Sequence, residues 1–182
     1  MSYTTSAYHY ISGNTPRPDK ETIRRQNVLV IVHRIEDDYF ALLDRWDYHR
    51  KSRIMGGTDG EDLITAGMRE VAEEAGYIDL EYEKTLSGEC HAEYYAEHKD
   101  NNRYSIEHCV VFRLLSDKRH GNSLDDAHHT LVWKHRDAVE DFLSDVSGVS
   151  SNLLFWYEYT GQEDKLSPYL QSFHTVERVW EK

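Results

Sequence analysis

Glu70, Glu73 and Glu74 stand at i, i+3 and i+4 in the segment EDLITAGMREVAEEAGY, residues 61–77. On a helix, which turns about 100° per residue, that spacing sets three carboxylates on neighbouring parts of one face. Like charges so placed destabilise an isolated helix by about 0.2–0.5 kcal/mol per pair, so the cluster calls for full solvation or for a cation. A hard divalent ion, Mg²⁺ or Mn²⁺, takes oxygen ligands and keeps waters and phosphate oxygens in its shell. Arg69, adjacent to the cluster, is suited to orienting a carboxylate or neutralising a leaving phosphate. The carboxylates by themselves also describe an ordinary solvated helix face.

Positioning such a cluster requires a helix entered from a tight turn. Gly56-Gly57-Thr58-Asp59-Gly60 is the densest glycine cluster in the chain, and a helical pattern follows it. Leu63, Gly67 and Val71 recur every fourth residue with Ile64, Met68 and Ala75 beside them, which predicts one apolar stripe from Glu61 to about Ala75. Gly76 occupies the place of a helix-terminating glycine.

Around this helix the pattern is mostly strand. NVLVIVH from Asn27, the acidic turn IEDD and YFALLDR read as a β-hairpin. Shorter strands are expected at 52–55, 77–87, 89–96, 104–115 and 130–135, and helices near 137–146, 152–159 and 166–180. In the last of these Leu166, Tyr169, Leu170, Phe173, Val176 and Trp180 share a face, suited to packing on the same domain or across a two-fold axis in a homodimer. Strands, helix, strands and helices in that order predict an α/β (α+β) sandwich with a mixed sheet covered by helices. Residues 1–20 read as an extended arm, 21–146 as the domain and 147–182 as a helical extension.

Composition narrows the partners. The chain has 182 residues, 39% of them hydrophobic and 30% charged, with a net charge of −12. That charge repels a phosphate backbone, which excludes long nucleic acid as the expected partner and leaves a small anionic substrate bridged by metal. The apolar runs are strand-sized, so no membrane span is expected. The opening MSYTTSAYHY lacks a basic start followed by an apolar block, which makes the cytoplasm the expected compartment. Cys90 and Cys109 fit neither a zinc spacing nor a disulfide scaffold and read as reduced thiols. His128, His129 and His135 lack the helical spacing of a zinc pair.

The whole arrangement of Glu61, Arg69-Glu70, Val71, Ala72, Glu73-Glu74, Ala75, Gly76 and Tyr77 resembles the signature of the Nudix hydrolases. The resemblance implies a Nudix-type α/β/α sandwich and a Mg²⁺-dependent pyrophosphohydrolase, with Mn²⁺ as a substitute, that cleaves a nucleoside diphosphate linked to another moiety. It further implies that Glu70, Glu73 and Glu74 ligate the metal, that Arg69 fixes their orientation and that Glu61 supports the helix start. The family places a glycine six residues before the first Glu, a position held here by Met55, so the loop is one residue short and Gly56 is the favoured carbonyl ligand. A general base is expected outside the motif, with Glu93, Glu97, Glu107, Asp125 and Asp126 as unranked candidates.

HAEYYAEHKDNNR, residues 91–103, combines cations with aromatics. Lys99 and Arg103 suit phosphate, Tyr94 or Tyr95 suits stacking on a base, and His98 completes the expected substrate-binding set. MGGTDGED, this stretch and LVWKHRDAVEDFL also look like the Nudix domain attached to some bacterial leucyl-tRNA synthetases, which implies a link to translation. The alternative to an enzyme is accordingly a non-catalytic Nudix module that binds a nucleotide or a translation partner.

Overall fold

The computed structural model describes residues 7–11, 15–45, 50–119, 129–144 and 151–166. Two long strands carry the sheet: β2 (Thr22–Arg34) and β8 (Asn101–Leu114) run parallel and in register from Thr22 against Asn102 to His33 against Arg113. Both are too long for one further partner each, so each is shared. β2 pairs antiparallel with β5 (Ile54–Gly57) along its middle and with β3 (Tyr39–Arg45) at its end. β8 pairs with β7 (Glu89–Ala96) along its first half and with β6 (Leu80–Thr85) along its second. β4 (Arg50–Ser52) and β9 (Thr130–His135) both pair with β3. The expected hairpin is present, turned by Asp38 at φ 58°.

The arm contributes to this sheet. β1 (Ala7–Ile11) lies parallel to β7, Ala7 opposite Glu89 and Ile11 opposite Glu93, which makes it the outermost strand on that side of a nine-stranded mixed sheet.

Helices cover both faces, because successive residues of each strand point to opposite sides. α1 (Leu63–Glu74) covers one face, packing Ala66, Val71 and Ala75 on Val28, Val30, Val110 and Phe112. α2 (Arg136–Ser144) and α3 (Ser151–Thr160) cover the other, where Val139, Phe142, Phe155 and Trp156 meet Leu29, Ile31, Phe40, Leu42 and Val111. The helix expected over 166–180 lies outside the described residues, apart from Leu166 at the end of a 3-10 turn. No helix among the described residues is long and apolar enough to cross a membrane.

α1 departs from the expected stripe in an informative way. Its buried residues are Ala66, Gly67, Glu70, Val71 and Glu74, whereas Ile64 and Met68 are exposed. Two carboxylates therefore lie on the packed side of the helix, where apolar periodicity had placed only small and apolar residues. Gly67 permits the close approach: a Cβ there would stand 2.7 Å from a Val110 methyl and 3.0 Å from the Phe112 ring.

Candidate functional site

The site is built at the N-terminal entry and along the packed side of α1. Asp62 caps the helix, its carboxylate accepting from the Ile64 and Thr65 N–H groups at 3.0 Å each and from the Thr65 hydroxyl at 2.7 Å. At the other end Gly76 adopts φ 76°, the left-handed conformation that ends a helix at least cost to glycine. Between these caps the glutamates are fixed in register against the Gly56-Gly57 strand.

Arg69 is the hub of the exposed half. Its Nε donates to Glu61 at 2.9 Å, Nη1 to Glu70 at 2.6 Å and to Glu73 at 3.3 Å, and Nη2 to the Gly57 carbonyl at 2.7 Å. One planar guanidinium thus ties three carboxylates to the loop that precedes the helix, a fork geometry that lysine cannot reproduce. These partners, Glu61 first, raise the Arg69 pKa and hold its charge permanently.

Glu74 occupies the other half. Arg45, at the end of β3, makes an ion pair with its carboxylate, and the Met55 N–H donates to the same group at 3.0 Å. His129 Nε2 lies 2.8 Å from the Glu74 backbone oxygen. Burial pushes the Glu74 carboxyl above its ordinary range, opposed by the Arg45 charge. Burial also pushes up Glu70, opposed by its hydrogen bond from Arg69 and reinforced by the Glu74 charge. Both shifts have the same meaning: ionised, these two carboxylates need more positive charge than water around them supplies.

Gly56 meets Glu70 directly. A Cβ on Gly56 would fall 2.0–2.2 Å from the Glu70 carboxylate atoms, so only glycine leaves room for that group against β5. The donor set is all oxygen and suits a hard divalent ion, and Gly56 leaves the room that the Glu70 carboxylate takes against β5. Among the described residues, however, no group of three or more His, Cys, Asp or Glu is arranged to hold a metal. Arg69 draws Glu70 and Glu73 toward the loop and Arg45 draws Glu74 toward β3, so metal ligation requires these carboxylates to be re-aimed.

The other expected site residues are placed elsewhere. Tyr94 and Arg103 are cross-strand partners on β7 and β8, on the face turned toward α2 and α3 rather than toward α1. Lys99 is exposed in the 3-10 turn after β7, and the His98 side chain lies outside the described residues. Tyr95 packs under Arg17, 3.9 Å from guanidinium carbon to ring centroid, and donates to Asp100 at 2.5 Å. Of the candidate bases, Glu93 is half-buried on the α1 face, Glu97 is exposed and Glu107 is buried on the opposite face. Asp125 and Asp126 lie outside the described residues.

Two features of the α1 face escaped sequence reasoning. Arg45 reaches Glu74 across 29 residues of chain, and nothing local announces it. On the α1 face of β7 and β8 a second polar cluster forms from Glu89, His91, Tyr104 and His108; its only sequence signal is the alternate placement of Glu89, His91 and Glu93 on one strand.

No protein-family model and no curated protein matches the chain by sequence. Solved structures do match in shape. A NUDIX hydrolase from Nitrosomonas europaea superimposes with a TM-score of 0.53 at 13% identity, covering 88% of this chain and 98% of that one. This chain has the Nudix fold. An ADP compounds hydrolase gives a TM-score of 0.51 at 20% identity, with 78% of this chain and 74% of that chain covered. The segment of residues 61–77 that resembles the Nudix signature lies, in this fold, on the loop and helix just described.

Proposed function

We propose that the chain is a divalent-metal-dependent pyrophosphohydrolase that cleaves a small nucleoside diphosphate derivative. The observation that carries this reading is the Glu70, Glu73 and Glu74 arrangement on α1, with Gly56 pressed against Glu70 and Arg69 clamping the cluster to its loop. Two solved structures of similar shape are named as hydrolases, one of them an ADP compounds hydrolase.

Glu70, Glu73 and Glu74 would hold Mg²⁺ or Mn²⁺, with the Gly56 carbonyl as a further ligand. A bound divalent ion there supplies charge to neutralise the diphosphate and lowers the pKa of a coordinated water. Arg69 keeps the carboxylates on the loop side of the helix. Arg45 balances Glu74 and is released to solvent or to substrate phosphate when Glu74 is re-aimed. The net charge of −12 makes that cation essential to the approach of an anionic substrate.

The test is product release by the purified chain, with Mg²⁺ and with Mn²⁺, from ADP-ribose, nucleotide sugars, dinucleoside polyphosphates, NADH and nucleoside triphosphates. Turnover of one class, lost in Glu73→Gln while the fold is retained, supports the reading. Binding of a nucleotide without release of any product favours the non-catalytic module instead.

A further inference from the structure

Arg34, Arg45, Arg69, Arg113 and Arg136 each pair with a carboxylate. Arg25 on β2 does not. It is exposed, and among the described residues it makes no hydrogen bond and no ion pair. In a chain of net charge −12, such a guanidinium locally reverses the field that repels anions.

The place of that guanidinium is set by Gly57. A Cβ on Gly57 would stand 2.8 Å from Arg25 Nη2, so the guanidinium lies in the notch that the missing side chain leaves. Asp59 reaches the same notch, with Oδ1 3.1 Å from that Cβ position, yet its Oδ2 lies 4.0 Å from Arg69 Nη2 and it forms no pair with Arg25. Strand alternation decides the face. Leu29 packs beneath α2 and α3, and Arg25, four residues before it on the same strand, is turned to that side. The neighbouring Arg24 is turned to the α1 side, where it lies over the Tyr104 ring at 5.0 Å.

Gly57 adjoins the metal site. It follows Gly56, whose carbonyl is the proposed metal ligand, and consecutive Cα atoms are about 3.8 Å apart. Both glycines are partly exposed at the end of β5, which among the described residues pairs with β2 alone. Neither carries a side chain to separate the Glu70 side of the strand from the Arg25 side. The two phosphates of a diphosphate share one bridging oxygen, so a diphosphate laid along this bare backbone brings one phosphate to the metal site at Gly56 and the other to Arg25 at Gly57.

We infer that Arg25 binds the substrate phosphate next to the metal-bound one, and that residue 57 is glycine to admit it. The inference names a ligand contact of the site proposed above and rests on that reading. A guanidinium presents a planar fork of donors that grips a phosphate through two parallel hydrogen bonds, and it stays charged at every working pH.

The experiment is isothermal titration calorimetry in saturating Mn²⁺ with methylenediphosphonate, a diphosphate that cannot be cleaved, and with methylphosphonate, which has a single phosphorus. Arg25→Ala is expected to weaken methylenediphosphonate binding by about 10- to 100-fold and to leave methylphosphonate binding within about threefold of wild type. Arg24→Ala removes the same charge from the other face and is expected to change neither by more than about threefold. Gly57→Ala, whose methyl displaces the guanidinium, is expected to weaken methylenediphosphonate binding in the wild-type background and to add nothing in Arg25→Ala. Methylenediphosphonate binding that Arg25→Ala leaves unchanged overturns the assignment, and so does a wild type that does not bind this probe. Equal losses in Arg24→Ala and Arg25→Ala overturn it as well, since they reduce the effect to general surface charge. Arg25-dependent binding without turnover of any panel member supports the assignment and overturns the hydrolase reading. Turnover that Glu73→Gln abolishes and Arg25→Ala spares overturns the assignment alone.

Discussion

On the α1 face, Arg45 and Arg69 meet Glu74, Glu61, Glu70 and Glu73 in a partly exposed network. On the opposite face, Arg53 is fully buried: its Nε donates to the Asn152 carbonyl at 3.3 Å, its guanidinium lies 5.2 Å from the Trp156 ring centroid, and among the described residues no carboxylate pairs with it and Nη1 and Nη2 have no hydrogen-bond partner. Burial alone lowers the Arg53 pKa to about 10. The contrast separates two uses of a buried charge. Around α1, four carboxylates share two arginines near solvent, an excess of negative charge with which an entering cation can pair. Beneath α3 the charge is sealed in against the Trp156 ring, where it ties the residue before β5 to the start of α3.

Substitutions that convert one situation into the other test this contrast. The largest effect is expected from Arg45→Met, which leaves the buried Glu74 carboxylate without its cation. Breaking a buried pair on one side costs about 3–5 kcal/mol, an upper bound here because Arg45 is partly exposed. Calorimetry in EDTA should show a clearly lowered Tm, and Mn²⁺ should raise that Tm by more than it raises that of wild type. Equal metal-induced shifts in the two proteins would show that Arg45 and the metal do not compete for Glu74.

Gly56→Ala comes next. Its methyl group would displace the Glu70 carboxylate, and a misplacement of about 1 Å at a reacting centre costs about 100-fold in rate, or about 2.7 kcal/mol. Steady-state kinetics should show that loss with a smaller change in Tm; unaltered kcat would remove Glu70 from the site.

A smaller effect is predicted for the pH dependence of metal-free stability. Glu70 has a folded pKa above its ordinary 4.5, raised by burial. A raised carboxyl binds its proton more tightly in the folded state, so its contribution to stability is fully present below about pH 4.5 and is lost as pH rises through the folded value. Comparing Tm of wild type and Glu70→Gln in EDTA isolates that term. The wild type should lose ground to the variant as pH rises from 4.5 toward 7, by a few degrees at most. A difference that does not change with pH would mean that Arg69 fully compensates the buried charge.

The smallest effect is expected from Arg53→Met. Replacing an uncompensated buried ion with an apolar side chain of similar length is commonly neutral or stabilising. Tm should hold or rise, and turnover should be unchanged. A marked fall in either would give Arg53 a part in the site that its surroundings do not suggest.

Much of the scaffold was legible because it is written locally. The hairpin from Asn27, β7 at 89–96, β9 at 130–135 and α1 each follow from periodicity with a turn or cap at the end. Arg69 beside Glu70 and Glu73 was legible for the same reason, since they lie within about one turn of it; its bonds to Glu61 and the Gly57 carbonyl, and the pairing of Glu74 with Arg45 instead, were not. The stripe on α1 was read less well: Ile64 and Met68 are exposed, and Glu70 and Glu74 are buried. Hydropathy assigns carboxylates to water, and here a glycine cradle and two arginines supply the compensation that burial demands.

By itself the sequence determined the helix that bears the carboxylates, its caps, its arginine clamp and the strand-rich α/β setting, because each depends on residues a few positions apart. Only the tertiary structure decided which residues stand beside that helix. Parallel pairing of β2 with β8 aligns Gly56, Val28 and His108 in one row, and the alternation of β7 and β8 turns Tyr94 and Arg103 to the other face while turning Glu89 and His91 toward α1. Those juxtapositions depend on register between segments that are distant in the chain, and register is set by how the faces of a sheet are buried, which no local window of sequence contains.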